Sequence, residues 1–449
     1  MAKTSTAPAS QTQNGIRHGL FSGLIGTFLA TIFLKFGNPV IFEDKSISPT
    51  NVWELIFQPW PFNWGYGFIA FLIAVGLVIA KWKVPFSRKT ALGLLLPLVW
   101  LIWQFLSATQ TVDATLTRST LKHFTAGVVC FYLGWFSLGE VRSLRFLLVG
   151  ILVGMTCVII SGWQQHFGGL EQTRRFFYEL PNWREYPPEF LQKVSSNRIY
   201  STLFYPNTLA AALLLMLPIT LAGVWSLTLR WTPAARNVVL GLFILGAMGC
   251  LFWSGSKSGW LLALFLVLVF LLQLRFSPKL KKGLVLTLLL LGLGGFGFKY
   301  ANFFQRGATS VVARFDYWSA ALKIAQQNPV LGTGPGTFFV PYQKIKKPEA
   351  EMARLCHNDY LQQASDSGIV GFLSFAIFIF GSLVICRPRH GLEQPILFCI
   401  WLGVLGVSLH SFVEFNLYIP AIAWTTFLFL GWLWSQRVKE ILDKNRAAS

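Results

Sequence analysis

The sequence predicts an all-α polytopic membrane protein with about twelve transmembrane helices, and three observations carry that prediction. Hydrophobic residues make up 54% of the 449-residue chain and charged residues only 12%, about half the charged share of a soluble domain. Apolar runs such as LLALFLVLVFLLQL (261–274) approach the roughly 20 residues that a spanning helix needs. These runs are solid and do not alternate, which argues against barrel strands. The basic residues, finally, divide unequally between the two sets of connecting segments.

The expected spans are 17–36, 62–80, 90–106, 123–139, 144–163, 203–229, 238–253, 258–274, 283–298, 368–386, 395–412 and 418–434. The polar stretch 1–16 lacks an apolar core followed by a small-residue cleavage site. It reads as a cytosolic tail, with a membrane domain over 17–436 and a basic cytosolic tail over 437–449. With that orientation, twenty Lys and Arg residues, from Lys3 and Arg17 to Lys444 and Arg446, fall in cytosolic segments close to helix ends. The short outer loops carry only Lys35, Lys45, Arg118, Lys122 and Lys257. This is the positive-inside pattern, and it predicts an inner-membrane protein with both termini in the cytosol. The formal net charge of +20 is thereby explained without nucleic acid, because the basic residues form no stripe. Of six cysteines, Cys130, Cys157, Cys250, Cys386 and Cys399 lie in apolar runs and Cys356 in a polar one. With no CxxC spacing, they suggest neither a disulfide framework nor a metal site.

Two long outer segments, 164–202 and 299–367, are aromatic-rich and not of low complexity. Long loops on one face of a compact bundle commonly carry function. None of the 18 acidic residues falls inside an expected span, and Glu414 lies just after span eleven, at an outer edge. Ion-coupled transporters keep ionisable groups near the midplane, so this distribution weighs against a transporter.

Within 299–367, RFDYWSAALKIAQQNPVLGTGPGTF (314–338) places Phe315, Trp318, Ala321, Leu322 and Ala325 at helical spacing before Pro329. That predicts an amphipathic surface helix with Arg314 at its start. Gly332 to Phe338 form a Gly-Pro-Gly turn that permits a close backbone approach; no Lys-Ser/Thr follows, so it is not a P-loop. CHNDYLQQASDSG (356–368) reads as a short helix ended by Gly368, with His357 at its first turn, where free N–H groups favour anions. Two readings stand side by side there: a general base or anion donor at His357, or a capping cluster of Asn358 and Asp359 beside an incidental histidine.

Three further patches lie at outer edges. Arg198 and Asn207 flank the start of span six. Lys257 sits in the turn between spans seven and eight and forms an SxxK spacing with Ser254, without companion motifs. His410 and Glu414, four apart, are expected on one helical face, either as a polar cap or as part of a site.

The run Arg314-x3-Trp318-x2-Ala321-Leu322, then Asn328-Pro329-x-Leu331-Gly332-x-Gly334-Pro335-Gly336-x-Phe338, then His357-Asn358-x2-Leu361-x6-Gly368-Ile369-x-Gly371 resembles the O-antigen ligase and polymerase superfamily. NRIYSTLFYPNTLAA (197–211) and HSFVEFNL (410–417) resemble its flanking motifs, so the similar core runs over about 195–420. The resemblance implies a GT-C-like fold with a large periplasmic loop between helices 9 and 10. It implies a metal-independent, inverting glycosyltransferase without cofactor. A glycan would pass from an undecaprenyl diphosphate carrier to a glycan or lipid A-core acceptor on the periplasmic face. By the same resemblance His357 is the base, Arg314, Arg198 and Lys257 meet the diphosphate, and Asn207, Asn358, His410 and Glu414 line the substrate site. Lys257 stands where relatives often have Arg, and Glu414 where Asp is commoner. An O-antigen or exopolysaccharide polymerase of the same superfamily is the first alternative, and a membrane transporter of inorganic carbon the second.

Overall fold

A computed structural model describes residues 9–45, 48–80, 87–179, 183–185, 191, 194–305, 307–389 and 391–448. The first half of the predicted N-terminal tail, the loop residues Lys81 and Lys83, and much of the middle of 164–202 lie outside these residues. Among the described residues every regular element is helical.

Among the described residues, seven helices are long and apolar enough to cross a membrane. The first, α1 (Ala9–Lys35), does so over Gly15–Lys35. Then α2 (Phe62–Leu77) is one of three shorter apolar helices, about 24 Å long at 1.5 Å per residue. Long helices resume with α3 (Arg88–Ser107). The helix α4 (Ala114–Tyr132) carries several Thr residues and Arg118 and is not among the seven. They continue with α5 (Arg145–Gln164), α6 (Pro206–Leu227) and α7 (Pro233–Ser254). The short apolar α8 (Lys257–Gln273) precedes the long α9 (Pro278–Gln305). After α10 (Thr309–Gln327) comes the last of the seven, α11 (Asp359–Ile385). The chain ends with the short α12 (Pro395–His410) and the central α13 (Pro420–Ala448). Each expected span thus coincides with a helix, while length and composition qualify seven of them.

Without water between helices, close packing and small residues hold such a bundle. A Cβ on Gly150 of α5 would stand 2.3 Å from the Gly26 carbonyl carbon of α1, so only glycine allows that crossing. Trp424, Leu428 and Trp434 of α13 are fully buried, and that helix forms the middle of the core. At the periphery α9 is almost wholly exposed, with Phe298 at 91%, which in an apolar helix marks a lipid-facing surface.

Two expectations for 299–367 change. The loop is itself mostly helical: α9 extends to Gln305, a short helix covers Phe339–Ile345, and α11 starts at Asp359. In α10 the apolar stripe read from the sequence is split. Tyr317, Ala320, Ala321 and Ile324 are buried, whereas Phe315 and Leu322 are 60% and 49% exposed. The buried face is selected by Phe338 and Tyr342, which pack on it. Sequence spacing alone does not encode that partner.

Candidate active site at the α10–α11 junction

The site is built on a rigid turn. Asn358 caps α11, its Oδ1 accepting from the Tyr360 and Leu361 amides at 3.0 Å each, a contact that stabilises a helix by about 1 kcal/mol. Capping is therefore the observed role of Asn358. His357, one residue earlier, has φ +52°, a left-handed conformation that costs a non-glycine residue about 1–2 kcal/mol. Neighbours hold it there. The Cys356 amide donates to Gln362 Oε1 at 2.8 Å, and the His357 ring stacks on Tyr317 and meets Phe415 edge-on.

Behind this turn stands Asp366, fully buried and not anticipated from the sequence. Its Oδ2 accepts from Gln362 Nε2 at 2.9 Å, the Gly336 amide at 2.9 Å and the Tyr418 hydroxyl at 3.0 Å. The Gly-Pro-Gly turn thus serves to carry an amide to a buried carboxylate. A Cβ on Gly336 would stand 2.2 Å from Thr120 Oγ1, which explains the glycine. The helix breaks at Gly368 (φ +68°) as expected, then resumes to Ile385. Only the recurrence of acidic residues in an otherwise polar turn of helix hinted at Asp366.

Glu414 is the hub. The expectation of a shared helical face with His410 fails, because α12 stops at His410 and the chain turns, with the Val413 amide donating to the His410 carbonyl. That turn aims Glu414 inward, leaving its side chain 5% exposed. Its Oε1 accepts from Arg314 Nη2 and from Asn207 Nδ2, and its Oε2 lies 3.0 Å from His357 Nδ1. Burial pushes the carboxyl pKa up. The charges of His357 and Arg314 and the His357 hydrogen bond pull harder, holding it well below the usual carboxylate range. Facing an ionised Glu414, His357 Nδ1 is the donor of this contact, and in the neutral imidazole that leaves Nε2 as the acceptor.

The helix α10 begins at Thr309, so Arg314 lies in its second turn and not at its start, held by the Val413 carbonyl (Nε, 3.1 Å) and the Ser310 carbonyl (Nη1, 2.9 Å). Arg198 donates to the Ser254 carbonyl and to Asn207 Oδ1, both at 2.7 Å, so Asn207 bridges it to Glu414. Burial lowers the Arg198 pKa, offset in part by Glu414; a guanidinium stays charged throughout. Lys257, one residue ahead of the expected span 258–274, lies over the Phe303 ring at 3.6 Å. Burial and the nearby Arg198 and Arg314 push its pKa down to about 8. Ser254 is buried and its hydroxyl donates to the Leu251 carbonyl, so the SxxK spacing presents no nucleophile. His410 is buried with both ring nitrogens engaged, to Ser258 Oγ at 3.1 Å and Asn416 Nδ2 at 3.3 Å, a supporting position.

The structure therefore joins His357, Glu414, Arg314, Asn207 and Arg198 in one hydrogen-bonded chain, with Lys257 in their field. Tyr317 and Phe415, which sandwich His357, were not legible as site residues. Among the described residues no group of three or more His, Cys, Asp or Glu side chains is placed to hold a metal ion.

Residues 240–376 match the O-antigen ligase family. The match covers 137 of the 449 residues, and that part of the chain is what resembles the family. No curated protein matches the chain. The O-antigen ligase match contains Lys257, Arg314, His357 and Asn358, whereas Arg198, Asn207, His410 and Glu414 lie outside it. The fold nevertheless brings Arg198, Asn207 and Glu414 onto the matched residues.

Proposed function

We propose that the protein is an O-antigen ligase-like glycosyltransferase. In this reading it moves a glycan from undecaprenyl diphosphate to an acceptor sugar hydroxyl on the periplasmic face of the inner membrane. The observation that carries the reading is Glu414, buried and bonded at once to His357 and Arg314. Such a pairing orients His357 with Nε2 free to take a proton and stabilises the imidazolium that results.

The acceptor oxygen attacks the anomeric carbon while His357 Nε2 takes its proton. The bond from that carbon to the diphosphate oxygen breaks, and the lipid diphosphate leaves with the bonding pair. Its growing charge is met by Arg198, Arg314 and Lys257, whose remaining N–H donors need no rearrangement during the step. One displacement inverts the anomeric centre, and the cations supply the electrostatic role without requiring a metal. The membrane domain over 17–436 would position this centre at the depth of the carrier's diphosphate.

The test is a His357→Ala strain carrying normally inserted protein. Loss of surface glycan is expected, and unchanged glycan overturns the reading. The same gel separates ligase from polymerase in a deletion strain: long carrier-linked chains indicate a lost ligase, single repeat units a lost polymerase.

A further inference from the structure

At the other end of the bundle lies a cavity of about 860 Å³. Four helices run from the site to it. The helix α6 has Asn207 at the site and Trp225 in the cavity wall, eighteen residues apart or roughly 27 Å. Likewise α11 begins at the site and leads to Cys386, α12 runs from the cavity at Pro395 to His410, and α13 leads from Pro420 to Arg437.

Its walls are apolar on one side, with Trp225, Leu229, Ile396, Leu397, Trp432 and Leu433. Leu229 and Trp225 are 61% and 44% exposed, so this side opens outward where lipid is expected. The other side is charged. Lys439 pairs with Glu140, and Lys444 pairs with Glu440. Arg387 and Arg389 make no hydrogen bond or ion pair among the described residues. Arg437 has a side chain only 10% exposed; its Nη1 pairs with Glu440, while its Nε is buried without a hydrogen-bond partner.

We propose that this cavity binds the phosphodiester headgroup of an anionic membrane phospholipid, with Arg387 and Arg389 as its donors, Arg437 adding positive charge behind them, and the tryptophan-lined wall taking the start of the acyl chains. Arginine forks match phosphate oxygens, and basic pockets between membrane helices suit such headgroups. The apolar wall distinguishes a lipid from free phosphate, which gains nothing there.

The test uses the full-length protein in detergent, titrated with phosphatidylglycerol, phosphatidylcholine or inorganic phosphate and read by native mass spectrometry. One retained phosphatidylglycerol per chain is expected, with phosphatidylcholine not retained. The Arg387→Ala/Arg389→Ala double variant should weaken retention roughly 25-fold, about fivefold per arginine. Equal retention of both lipids, undiminished retention by the exposed double variant, or displacement of the lipid by inorganic phosphate at equal concentration would each overturn the proposal.

Discussion

The two ends of the bundle handle positive charge in opposite ways. At the α10–α11 junction, Arg314, Arg198 and His357 converge on one buried carboxylate, directly or through Asn207. At the far end, Arg387 and Arg389 have no partner among the described residues, and Arg437 keeps an unpaired Nε. The first arrangement is internally compensated and fixes side-chain geometry, as a reacting centre requires. The second leaves donors open for a ligand that arrives already charged.

The comparison can be broken at Glu414 first. Glu414→Ala strands Arg314 and His357, and removing one member of a buried ion pair costs about 3–5 kcal/mol. Thermal unfolding in detergent should show that loss together with lost glycan transfer; a variant as stable as the wild type would mean the centre is not held by compensation. The pH dependence follows with its sign. A carboxyl held below its ordinary value of 4.5 contributes stability that is present above pH 4.5 and lost as the pH falls from there toward its folded value. Glu414→Gln should lack that acid limb.

His357→Ala separates chemistry from stability. Transfer should fall by about 10²–10⁴-fold, the usual contribution of a positioned base. His357→Ala loses the Glu414 contact and keeps the left-handed backbone, whereas His357→Gly loses the same contact but relieves that backbone, so the glycine variant should be the more stable of the two. Equal melting temperatures for the pair would argue against strain at this residue.

Asp366→Ala tests whether the Gly-Pro-Gly turn and α11 are one unit. It leaves the Gly336 amide, Gln362 and Tyr418 without their acceptor and should cost about 2–3 kcal/mol, read by thermal unfolding. Lys257 gives a finer test. With its pKa near 8, it is charged below that pH and neutral above, so transfer should decline as the pH rises through 8. Lys257→Arg should remove this decline, since guanidinium does not titrate in that range. The smallest effect is expected for Asn358→Ala, about 1 kcal/mol of stability with transfer retained, because its oxygen caps α11. A large loss of transfer there would restore the sugar-contact reading.

The sequence by itself determined what depends on neighbours along the chain. Composition and run length required membrane helices, Asn358 in front of Asp359 offered a cap, and Gly368 broke the helix where expected. Periods of 3.6 residues and capping chemistry act within a few residues, so they can be read locally. Tertiary structure decided who meets whom. Asn207 and Glu414, 207 positions apart, share a hydrogen bond; Arg314 chose a carboxylate 100 positions away; Asp366 found the Gly336 amide across the Gly-Pro-Gly turn. It also decided which side of α10 is buried and ended α12 at His410. A buried charge must be compensated by whatever group the packing brings beside it, and packing is set by the whole bundle rather than by any stretch of chain.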